Sequence, residues 1–112
     1  MKDYLLVYRA DTSAMPEASP EEKQSRTKSW MDWMGSIAAQ NKLKDGGNRL
    51  NTNGKVVGAN GVITDGPYSE IKESILGYSL VSAGSYEEAV ELTKGCPILR
   101  VGTVEVREID PR

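Results

Sequence analysis

The chain has no histidine, no phenylalanine and a single cysteine, and none of its apolar runs is long. Without histidine there is no imidazole base, no His-based triad and no His metal ligand. One cysteine, Cys96, excludes an internal disulfide and a Cys-cluster zinc site. Set between Gly95 and Pro97 at a predicted helix end, Cys96 reads as a buried structural thiol rather than a nucleophile. The sequence therefore calls for no metal and no cofactor. No apolar stretch approaches the roughly 20 residues of a spanning helix, so no membrane partner is expected. A net charge of −2 leaves no basic footprint for direct nucleic-acid binding. Lys2 and Asp3 lead straight into a strand-like run without a leader pattern, and the simplest location is cytoplasmic. What remains for chemistry is carboxylate, lysine, arginine, tyrosine or a borrowed cofactor.

The 112 residues read as a single domain, 1–112, long enough to bury a core without staples. Tyr4-Leu5-Leu6-Val7-Tyr8 predicts a central strand, with Tyr4, Leu6 and Tyr8 on one face and Leu5, Val7 and Arg9 on the other. Ser19-Pro20-Glu21-Glu22 is a helix start carrying a cap, a first-turn proline and a capping box. Trp30, Trp33, Met34, Ile37 and Ala38 then form one stripe, and the helix ends near Gln40 or Asn41. Leu43 to Leu50 predicts a strand kinked at Gly46-Gly47. Asn53-Gly54 predicts a hairpin turn between Leu50–Thr52 and Lys55–Val57, and Asn60-Gly61 a second turn before a short strand at Val62–Thr64. Ser74 to Ala83 alternates as a strand. Ser85-Tyr86-Glu87-Glu88 opens a second helix with Tyr86, Ala89, Val90 and Thr93 inside, stopped by Gly95 and Pro97. Thr103 to Ile109 is the last strand, with Val104 and Val106 on one face.

This order is two βαβ units, an α+β, ferredoxin-like plan with both helices on one face of an antiparallel sheet. Nothing in the sequence covers the other face. An apolar face of that size marks an interface, so the expected partner is a second copy, with a pocket for a small-molecule ligand between the two sheets.

Thr64-Asp65-Gly66-Pro67-Tyr68-Ser69-Glu70-Ile71-Lys72-Glu73 divides the two halves. Pro67 fixes its own φ, Gly66 tolerates a positive one, and Asp65 accepts backbone N–H groups as in an Asx turn. One reading makes Asp65 the staple of a tight turn at a strand end. The other sets Asp65 as an acid–base or ligand group beside Tyr68 and Lys72. Tyr8, Arg9 and Tyr78 complete the candidate ligand-binding set, with Arg49 a further anion candidate. Glu105 and Arg107, two apart on one strand face, read first as an ion pair.

The Thr64–Glu73 stretch, Gly77-Tyr78, Cys96-Pro97 and Gly102-Thr103-Val104-Glu105-Val106-Arg107 resemble the YCII-related family, specifically its DGPF branch. The opening Tyr4–Tyr8 and the Ser19–Glu22 helix start fit too. Tyr68 stands where the branch carries phenylalanine. The resemblance implies a dimeric α/β barrel but no set reaction. Relatives in the wider superfamily include isomerases, dehalogenases and monooxygenases. The broader group resembles an acid–base enzyme with a His–Asp pair. Many DGPF-like chains carry His where Val101 stands here, so Asp65 has no imidazole partner. DGPF-like proteins also look associated with sigma-factor regulation. Three readings stay open: a homodimer holding a small molecule between its sheets in a binding or regulatory role, a small enzyme using Asp65 for acid–base chemistry without histidine, or a degenerate family member retained for its fold.

Overall fold

The computed structural model describes residues 1–11, 18–66 and 74–111. Strand β1 (Lys2–Ala10) leads into helix α1 (Pro20–Ala39) and β2 (Leu43–Arg49). A short ribbon follows, β3 (Gly54–Val57) and β4 (Ile63–Gly66). Strand β5 (Ser74–Ala83), helix α2 (Tyr86–Thr93), a 3-10 turn (Pro97–Arg100) and β6 (Gly102–Glu108) complete the order. The main sheet runs β2-β5-β1-β6, with every neighbouring pair antiparallel. With the ribbon set aside, this is the ferredoxin-like strand order of two interleaved βαβ units. The fold class is α+β.

Both helices lie on the same face of the sheet. Trp33 and Ile37 of α1 and Ala89 and Leu92 of α2 share one core with Tyr4, Leu6, Tyr8, Val81 and Ala83. Val104 and Val106 close it from β6. The alternation of β1 decides this: its even-numbered residues meet the helices.

The helix termini follow local chemistry. Ser19 Oγ accepts from Glu22 N at 3.2 Å and Ser85 Oγ from Glu88 N at 3.2 Å. Glu88 also accepts from Gly84 N at 2.9 Å. The Lys42 ammonium, and then that Gly84 N–H, hold the Glu88 carboxyl below its ordinary value. Helix α1 ends in a Schellman arrangement built on asparagine. Asn41 sits at φ 60°, its N–H donates to Ala38 O at 2.9 Å, and Lys42 N donates to Ile37 O at 3.2 Å.

Four expectations change. The Asn53-Gly54 hairpin does not form. The hairpin turn lies at Gly58–Val62, where Gly58 N donates to Val62 O at 2.7 Å, Gly61 N donates to Gly58 O at 3.0 Å, and Gly61 takes φ 77°. A primed two-residue turn needs positive φ at both centres. Neither Asn53 nor Gly54 is among the positive-φ residues, and Leu50 N stays bonded to Leu76 O at 2.8 Å. Ala38 is exposed, so the buried stripe of α1 narrows to Trp33 and Ile37 with Trp30 and Met34 beside it. In α2, Leu92 replaces Val90 on the inner face, with Val90 and Tyr86 each 45% exposed. Gly95 does not end α2 through a left-handed turn. Its lack of a side chain admits Trp33 instead, whose Cδ1 would lie 3.2 Å from a β-carbon there.

Strand β2 carries the expected kink. Its register slips between Leu43 and Asp45 and again between Asp45 and Asn48. Gly47 takes φ 74° and its N–H is held by Asp45 Oδ1 at 2.8 Å.

Candidate functional site

The odd-numbered residues of β1 build the second face of the sheet. Across from Val7 stand Tyr78 on β5 and Glu105 on β6, and across from Leu5 stand Leu80 and Arg107. Cross-strand partners share a face, so Leu5, Val7, Arg9, Tyr78, Leu80, Glu105 and Arg107 all emerge together. Val7 is only 9% exposed, although it belongs to no part of the helix-side core. The centre of this face is apolar and its rim is polar.

The rim is ordered by its own contacts. Arg9 Nε lies 3.3 Å from Glu105 Oε1, and Arg107 Nη1 lies 3.2 Å from Glu105 Oε2. On the other side, Asn48 Nδ2 donates to the Tyr78 hydroxyl at 3.0 Å. The expected Glu105–Arg107 pair is present, and Arg9 joins it. Asn48 had no signal in the sequence, because the β2 kink decides which way it points. Arg49, opposite Gly77, falls on the helix side instead.

Tyr8 is separated from Arg9 and Tyr78 by the strand alternation. It lies 5% exposed in the core, with its ring edge-on to Trp30 and Trp33 at 4.9 and 6.0 Å. Its hydroxyl donates to Ser79 Oγ at 2.7 Å, which donates to Gly46 O at 2.7 Å. Burial raises the Tyr8 phenol above its ordinary value, against a smaller opposing effect of the Ser79 hydrogen bond. Tyr8 is thus held protonated, tying β1 to the kink of β2. A signal for Ser79 existed: it is a lone hydroxyl on the face shared by Gly77 and Val81.

Asp65 is a strand residue of β4 rather than the first residue after a strand, and stands opposite Lys55 in β3. Their side chains form an ion pair in which Asp65 is 86% and Lys55 69% exposed. Pro67, Tyr68 and Lys72, the rest of the expected constellation, lie outside the described residues. Exposed ion pairs contribute little. Asp65→Asn is therefore expected to cost below about 1 kcal/mol in a urea melt. A loss of several kcal/mol would show that the carboxylate also anchors the chain beyond Gly66.

Cys96 is buried, and burial pushes its thiol up to about 11, against a smaller effect of a backbone N–H at Ile98. It is a packing residue rather than a thiolate at neutral pH. A cleft of about 270 Å³ lies between α1 and α2, over Trp33, Ile37 and Leu92. Of its charged groups, Lys42 pairs with Glu88 within the cleft and Glu91 pairs with Lys94 outside it. Among the described residues no three acidic, cysteine or histidine side chains gather as a metal site needs, and no helix is long and apolar enough to cross a membrane.

A ferredoxin-like α+β chain with one helix-covered face and one patterned open face defines a class of small proteins. The YCII-related domain family matches residues 1–111, and the chain belongs to that family. A search of the curated proteins finds no match.

Proposed function

We propose that the chain acts as a homodimer that packs its open sheet faces together and holds a small molecule between them, in a binding or regulatory role. The observation that carries this reading is the open face itself. Among the described residues no helix covers it: Leu5, Tyr78 and Leu80 are half-buried there around Val7, and both helices pack on the opposite side. A two-layer fold leaves such a face to water unless another copy covers it. The Cα envelope is 18 Å across its shortest axis, room for one sheet and one helical layer. Covering the face with its own copy makes a two-fold, three-dimensionally closed assembly in which each patch meets the same patch. The ordered rim of Arg9, Glu105, Arg107, Tyr78 and Asn48 then becomes the wall of the cleft.

The binding reading is preferred to acid–base catalysis because Asp65 stands on the separate ribbon, exposed and engaged with Lys55. Light scattering at micromolar concentration tests the assembly. The expected mass is twice the 12.2 kDa of the chain. A mass of 12.2 kDa at every concentration would remove the cleft and the reading with it. Leu80→Glu, which sets a charge in the apolar centre, should shift the dimer to monomer while leaving the helix-side core intact.

A further inference from the structure

We propose that the open face takes a small organic anion, with its charged end on Arg9 and Arg107 and its apolar body along Val7, Leu5 and Leu80. The second wall of this site rests on the dimer reading above. The charge of the Arg9–Glu105–Arg107 cluster sets the sign of the group bound at that end. Glu105 Oε1 faces Arg9 Nε at 3.3 Å and its Oε2 faces Arg107 Nη1 at 3.2 Å, so one carboxylate serves two guanidiniums. The cluster keeps one net positive charge. Each guanidinium has five N–H donors in a planar fork, and Glu105 engages one nitrogen of each. Elsewhere on this face Asp3 pairs with Lys44 at the far end of β1, and the Asp45 carboxylate, opposite Leu80, accepts from Gly47 N at 2.8 Å.

Tyr78 adds a neutral donor. Its oxygen accepts from Asn48, and its own hydrogen has no acceptor among the described residues. Val7 lies between Tyr78 and Glu105 in the register. Those two positions are two strand spacings apart, about 10 Å. That span suits a short aliphatic or single-ring acid.

Benzoate is the probe and benzamide its neutral isostere. Titrations are followed by NMR shifts of Val7 and Tyr78, with light scattering on the same samples. Benzoate is expected to bind about tenfold or more tightly than benzamide, the difference one charge-assisted contact makes. Arg9→Gln and Arg107→Gln should each weaken benzoate by about tenfold or more. Glu105→Gln should tighten it, because it releases both guanidiniums. Thermal melts of the three variants show whether the fold is kept. Equal binding of benzamide and benzoate overturns the anion site. So does a folded Glu105→Gln that weakens benzoate as the arginine variants do. A dimer unaffected by benzoate overturns the anion site and leaves the dimer standing. A monomer whose benzoate binding needs both arginines does the reverse.

Discussion

Trp33→Ala is expected to lower stability by about 3–5 kcal/mol, among the largest effects of any single substitution in this chain. Trp33 is 6% exposed and sits where α1, α2 and the sheet meet. Its removal empties a large volume from the shared core, with little freedom for two helices and a sheet to collapse into it. The indole Nε1 also donates to Leu92 O at 2.9 Å, next to the end of α2. That carbonyl would lose its partner in a buried setting. Two further contacts go with the ring: edge-on packing with Trp30 at 5.6 Å and with Tyr8 at 6.0 Å. Urea melts of variant and wild type read the difference. A loss under about 1 kcal/mol would show that the indole lies in solvent rather than in the shared core.

Gly47→Ala is expected to cost about 2–5 kcal/mol through a different cause. Gly47 takes φ 74°, a region that opposes any β-carbon, and an added methyl would lie 1.7 Å from Tyr78 O. The obstruction is backbone, so β2 and β5 must separate locally to admit it. Gly61→Ala separates the two contributions. Gly61 has nearly the same φ, 77°, with nothing within 4 Å of an added β-carbon. Its substitution should cost only about 1 kcal/mol, the backbone contribution alone. Equal losses at both positions would show that the clash at Gly47 relaxes freely. Because β2 carries Asn48 beside Tyr78, Gly47→Ala should also disturb the open-face rim, whereas Gly61→Ala in the ribbon turn should not.

Much of the architecture was legible in order of residues. Both N-caps, the α1 stripe around Trp33, the Gly46-Gly47 kink and the two faces of β1 follow from local rules, since caps and periodicity act within a few residues. The βαβ plan follows from their sequence. Choices between local alternatives were less legible. Asn53-Gly54 has the composition of a tight hairpin turn, yet Leu50 remains bonded to β5 and the strand pairing resumes only at Gly54. Whether Val90 or Leu92 faces inward in an eight-residue helix depends on how α2 is laid on the sheet. Gly95 follows the end of α2 as its sequence position suggests, but its contact with Trp33 has no local signal.

For the site, the sequence by itself determined which residue types were available and which strand faces carried them. It excluded imidazole and thiol-cluster chemistry and placed Arg9 and Tyr8 on opposite sides of β1, because side chains in a strand alternate without exception over a regular run. Only the tertiary structure decided which side the helices cover. That choice sent Tyr8 into the core with Ser79 and left Arg9 in the open. It also decided that Arg9, Glu105 and Arg107 form one cluster, since the β1–β6 register joins residues nearly a hundred positions apart. Asp65 shows the same limit from the other side: its local motif is a turn, but cross-strand pairing in the ribbon gives it Lys55 as partner. Local rules set propensity and periodicity, and long-range pairing sets which of the resulting faces meet.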